Sequence, residues 1–147
     1  MILRHFDIKD IKDLKKYRYP EKSDLEILSM INEWNQCGCS GRYFEMFTVA
    51  HGGVPVGEVS VYEHNTETVS IGIHIFEPFR RKGFAYFGVN AALKQAKKKN
   101  YDFAISLIDL HNEPAIKLFK KLEFDPIGEF INPRGARVLT YKKFIEN

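Results

Sequence analysis

The sequence predicts an α/β fold, a mixed β-sheet with helices packed on both faces. Three observations predict it. Stretches with apolar residues at three- and four-residue spacing alternate with short β-rich runs, a Gly-Gly turn separates two alternating segments, and "DFAISLI" is the nearly continuous apolar run of a strand inside a sheet.

The elements follow in chain order. A first strand over 2–6 leads into a helix over 8–16, where Ile8, Ile11 and Leu14 recur. Ser23 and Glu26 form a capping box that opens a second helix, whose apolar side carries Leu25, Leu28, Ile31 and Trp34. Residues 43–64 read as a hairpin turning at His51–Pro55, followed by a strand over 68–76. A helix over 85–99 presents Ala85, Val89, Ala92, Leu93 and Ala96 on one face and gathers lysines at its C-terminal end, as the helix dipole prefers. Gly88 inside it should cost about 1 kcal/mol against alanine. Asn112 caps a last helix with Pro114 in its first turn, and residues 136–144 alternate as an edge strand would. The order is βααβββαβαβ, and residues 1–147 read as a single domain.

Charge and composition exclude some functions. The net charge of +3, from 22 basic and 19 acidic residues, is too small to imply nucleic acid. The bases are concentrated at Arg80–Lys82, Lys97–Lys99 and Lys117–Lys121, where an anion has something to meet. No apolar run suits a membrane span and the start lacks a signal-peptide pattern, so a cytoplasmic protein without a membrane partner is expected. Cys37 and Cys39 lack a second cluster for zinc, which predicts free thiols and no metal.

The chemistry concentrates at "RRKGFAYF", residues 80–87, between a strand and a helix. A glycine-bearing turn that opens a helix presents backbone N–H groups at the positive end of the helix dipole, where phosphate binds. Gly83 removes the side chain that would hold a ligand off the backbone, and Ala85 keeps the next approach small.

Arg80, Gly83 and Ala85 match the motif Q/R-x-x-G-x-G/A, and Asn112, Ala115, Leu118, Lys121 and Phe124 are in register with N-x-x-A-x-x-L-Y-x-K-x-G-F. Both motifs resemble those of the GNAT N-acetyltransferase superfamily, specifically so between residues 70 and 124. The resemblance implies a GNAT-like sheet that binds acetyl-CoA in a V-shaped opening between the strands over 69–76 and 102–108. It further implies that amides from Arg81 through Lys82, Gly83 and Phe84 to Ala85 hold the pyrophosphate. Arg80 and Lys82 add charge, Ile75 pairs with the pantetheine arm, and Asn112 touches that arm or caps its helix. Transfer is expected by direct attack of a primary amine in a ternary complex, and a homodimer is a frequent family arrangement.

Two positions depart from the family pattern. Phe119 stands where a tyrosine often protonates the departing thiolate beside the cofactor, leaving Tyr62 or Tyr141 as substitutes, and Glu123 replaces a glycine at the helix end. An amine must lose a proton before it can attack, and Glu58 and His74 are the candidate bases. Strand alternation equally permits a solvent-facing Glu58 or a core His74. Trp34, Tyr43, Phe44 and Phe47 are candidates for an acceptor pocket or for the core, and Glu33 and Glu45 would suit a cationic amine. The alternatives are a CoA-binding relative with weak catalysis, which Phe119 motivates, and a small nucleic-acid-binding domain, which the basic clusters motivate.

Overall fold

A computed structural model of the chain describes residues 1–147. The strands are β1 (Ile2–Arg4), β2 (Gly38–Cys39), β3 (Arg42–His51), β4 (Val54–Pro55), β5 (Gly57–Asn65), β6 (Thr68–Ile75), β7 (Phe103–Asp109), β8 (Asp125–Ile131) and β9 (Arg137–Phe144). The helices are α1 (Ile11–Tyr17), α2 (Asp24–Trp34), α3 (Phe84–Lys98) and α4 (Glu113–Lys121). Across the sheet the order is β1-β3-β5-β6-β7-β9-β8, with β2 and β4 paired to β3. Only β6 and β7 run parallel.

Alternation along β3, β5 and β6 divides the core between the two faces. Phe47, Val49, Val59, Val61, Val69 and Ile71 point toward α3 and meet its buried Val89, Ala92, Leu93 and Ala96. Each large apolar side chain so buried stabilises the fold by about 1.5–3 kcal/mol. Gly88 belongs to this contact: a Cβ there would lie 2.9 Å from Val49 Cγ2, so the missing side chain is what lets α3 sit close on the sheet. On the opposite face a smaller core, Phe6, Leu14, Ile27, Ile31 and Phe76, packs α1 and α2 against the sheet.

Several expected elements change. The first helix begins at Ile11 and not Ile8, because the Asp7 and Asp10 side chains cap a 3-10 turn over Ile8–Asp10 and leave Ile8 exposed. Arg4 holds that turn to β1 through two hydrogen bonds to the buried Asp10 carboxylate, at 2.7 and 2.9 Å. The Ser23–Glu26 capping box opens α2 as expected, yet its buried face carries Ile27 and Ile31 while Leu25 is 78% exposed. The strand β8 escaped the sequence reading, since Pro126 and Gly128 argue against a strand interior. They are tolerated because β8 is the fully exposed edge and bulges between those two residues. That displaces β9 from the expected edge to a place between β7 and β8. β7 lies inside the sheet, but Leu107 on its far face is exposed.

Candidate active site

β6 and β7 pair only at Thr68–Phe103, Val69–Ala104 and Ser70–Ile105, after which the two strands part. Beyond Ser106, whose hydroxyl donates to the Ile71 carbonyl at 3.0 Å, the β6 edge lies open. A cavity of about 500 Å³ occupies this opening. Ile73 and Ile75 of β6 form one wall, Pro114, Ala115 and Leu118 of α4 another, and Arg80, Arg81, Gly83, Phe84 and Ala85 the end. The loop conformation follows from its sequence. Arg81 and Gly83 both take left-handed backbone angles (φ 64° and 84°), and Gly83 is the N-cap of α3 with no side chain to satisfy the first amides. No atom lies within 4 Å of where a Gly83 Cβ would stand. Unsatisfied N–H groups at the positive end of a 15-residue helix, open space before them and two arginines beside them suit a pyrophosphate. Arg80 also closes the loop, its Nε donating to the Ile75 carbonyl at 2.9 Å. That bond uses one lone pair of the Ile75 carbonyl, at the end of the open edge. Lys82 is exposed and stands off the cavity wall.

A second cavity, about 450 Å³, lies on the α1–α2 side of the sheet. Glu58 and His74 are direct cross-strand partners in the β5–β6 ladder and both face it, together with Ser60, Gly72, Trp34, Met30 and Met46. Arg18 and Tyr19, which follow α1, complete the wall. Glu58 is 6% exposed and held from two sides, accepting from Tyr19 Oη at 2.7 Å and from Arg18 Nε at 3.2 Å. Burial first, and then the Glu58 carboxylate, push the Tyr19 hydroxyl above its ordinary pKa, so it remains a donor. Burial first, and then the charges of Arg18 and Arg80, push His74 below its ordinary value and keep its imidazole neutral near pH 7. Ile73 lines both cavities, with its side chain on the α3 face.

The remaining candidates lie elsewhere. Tyr43 is on the α3 face, stacked on Tyr101 and donating to Glu45 at 2.5 Å. Phe44 packs edge-on against Tyr62, and Phe47 is core. Glu45 is buried on the α3 face, and Glu33 is exposed and off the second cavity. Asn112 caps α4, accepting from the Ala115 amide at 3.2 Å. Phe119 is 1% exposed and packs edge-on against Phe124, and it does not line the β6–β7 cavity. Tyr141 is buried, and Tyr62 faces a separate groove beside Ser70 and Ile105. Glu123 takes φ 66°, the left-handed angle a glycine would adopt without strain, and α4 ends at Lys121.

The family model of the acetyltransferase (GNAT) domain matches residues 1–125. The chain belongs to the GNAT family. It is an acyl-CoA-dependent N-acetyltransferase. GNAT proteins of known structure share its fold at low identity. One is a chimera of the spermidine N-acetyltransferase SpeG from Vibrio cholerae and hSSAT, 20% identical at a TM-score of 0.81 over 98% of this chain and 96% of that one. Another is a ribosomal-protein-alanine N-acetyltransferase from Brucella melitensis, 14% identical at 0.79 over 98% and 99%. A third, yncA from Salmonella typhimurium, a putative acetyltransferase with its cofactor acetyl-CoA, is 13% identical at 0.76 over 100% and 95%. No curated protein sequence matches the chain. No helix is long and apolar enough to cross a membrane.

Proposed function

We propose that this GNAT domain acetylates the α-amine of an amino acid or peptide, with acetyl-CoA in the β6–β7 opening and the acceptor in the Glu58–His74 cavity. The observation that carries the reading is that Ile73 lines both cavities, which places them next to each other at β6. Acetyl-CoA supplies an activated acyl thioester. Amides from Arg81 to Ala85 hold its pyrophosphate, Arg80 and Arg81 add charge, and Ile73 brings its thioester end within reach of the acceptor cavity.

On the acceptor side, His74 is neutral and Glu58 is an acceptor held in place, so an ammonium entering the cavity meets groups that take its proton. Tyr19 and Arg18 orient the carboxylate. Arg18 uses only Nε for this and is exposed, so its remaining N–H groups are offered to a carbonyl or carboxylate beside the acceptor amine. One carboxylate, already paired with an arginine, suits a single ammonium better than the several of a polyamine. An α-amine also titrates near 8, roughly two units below a lysine, so less work is needed to free its lone pair. With Phe119 in the core, the CoA thiolate leaves without a tyrosine from α4; a thiol pKa of about 8.5 makes that tolerable near neutral pH.

This reading takes residues 1–147 as one cytoplasmic domain with neither nucleic acid nor membrane as partner, and it is compatible with a homodimer. CoA release, followed with a thiol reagent, over a panel of short peptides, amino acids, spermidine and N-α-blocked lysine tests it. Peptide or amino-acid α-amines should turn over fastest. Preferred turnover of spermidine would overturn the acceptor class, and no turnover of any amine would favour a CoA-binding relative.

A further inference from the structure

On the sheet face opposite the acceptor cavity, three side chains from distant parts of the chain converge. His5 follows β1, Cys37 lies in the turn after α2, and Glu45 stands in β3. Their ligand atoms all fall within 4.8 Å of one another. Imidazole, thiol and carboxylate together form a donor set that suits a borderline-soft cation such as zinc.

The surroundings are those of a metal ligand set. Glu45 is 5% exposed, and no lysine or arginine lies within ion-pair distance of it; the one imidazole beside it is His5, at 2.5 Å. A buried carboxylate calls for paired charge or a coordinated ion. Its two oxygens are divided. Oε1 is fixed by the Tyr43 hydroxyl at 2.5 Å and by Gln95 Nε2 at 3.4 Å, whereas Oε2 faces His5. Outer groups that orient a ligating carboxylate in this way are the usual support of a metal centre. The His5 ring is stacked on Phe47, and Cys37 is carried into the cluster by a left-handed backbone angle, φ 55°.

We propose that His5, Cys37 and Glu45 form a zinc-class cation site that clasps the Cys37 turn to the sheet. In a tetrahedral site with ligands at about 2.0–2.3 Å, the His5–Glu45 contact must open to admit the ion. His5 can make that movement, because its side chain is 44% exposed and lies beyond the end of β1. The Cys37 thiol gives up its proton on binding, and a water completes the fourth position. Trp34, on the acceptor cavity, is three residues before Cys37, so the clasp also steadies the end of α2.

The test is titration of metal-free, reduced protein with Zn(II) by calorimetry and with Co(II) by absorbance. One equivalent should bind, with proton release and a cobalt–thiolate charge-transfer band. Cys37→Ser should abolish the band, and Tyr43→Phe should weaken binding about tenfold through the lost support of Glu45. Cys39→Ser should retain both. Melting curves of each variant without metal, matching the wild type, exclude misfolding. Failure of the wild type to bind saturably would overturn the site, as would a band that survives Cys37→Ser.

Discussion

The two walls of the proposed active site are built from different material. The phosphate end of the proposed cofactor cavity is one contiguous stretch, the end of β6, the Arg80–Ala85 loop and the first turn of α3, faced by Pro114, Ala115 and Leu118 of α4, and in the proposed reading backbone amides carry its recognition. The acceptor wall gathers Arg18 and Tyr19, Trp34, Glu58 and His74 from four places in the chain, and side chains carry its recognition. Backbone recognition needs a conformation, which a short motif can specify. Side-chain recognition needs a fold to bring distant residues together, and it is free to change with the acceptor.

This contrast can be broken by substitution, the largest effect falling on the acceptor wall. Glu58→Gln should lower kcat by about 10²- to 10⁴-fold, the range of lost acid–base assistance, with acetyl-CoA affinity unchanged. A matching loss of acetyl-CoA binding would merge the two walls into one.

The pH profile sharpens the division of labour between Glu58 and His74. Because the fold lowers the His74 pKa, kcat/KM should fall on the acid side through a value below the ordinary 6.5, and His74→Gln should remove that limb. A limb unaltered by His74→Gln would assign the proton transfer to Glu58. The same shift is linked to stability. Its contribution is present above the unfolded value near 6.5 and is lost as pH falls through the lowered folded value, and equilibrium unfolding across that window measures it.

The smallest effect concerns the frame that holds α4 against the cofactor cavity. Glu123 occupies a left-handed position, so Glu123→Gly should stabilise the protein by about 1 kcal/mol, raising Tm by roughly 2–4 °C without changing kcat. A lower Tm would show that the contacts of Glu123, including its 3.9 Å approach to Lys143, outweigh the backbone strain.

What the sequence made legible divides along the same line. The order of the main elements, the Ser23–Glu26 and Asn112 caps and the Arg80–Ala85 loop are local features, and they could be read directly. Glu58 and His74 could be named from their strands, but their adjacency required the β5–β6 register. Arg18 and Tyr19 sat unnoticed in "YRYP", a stretch with no periodicity to mark it. Tyr43 and Phe44 were aromatic in the right region, and the pleat sent one to each face, neither of them into the acceptor cavity. The edge strand β8 was hidden by its own proline and glycine.

Isothermal titration of acetyl-CoA into the wild type, Gly83→Glu and Glu58→Gln tests the central claim most directly. A side chain at Gly83 enters the open phosphate cradle and strains a φ of 84°, whereas Glu58 lies across β6 in the other cavity. The account predicts binding in the wild type and in Glu58→Gln, with affinity reduced about 100-fold or more in Gly83→Glu, the loss of several charge-assisted hydrogen bonds. Equal binding in all three proteins, or none in the wild type, would contradict it.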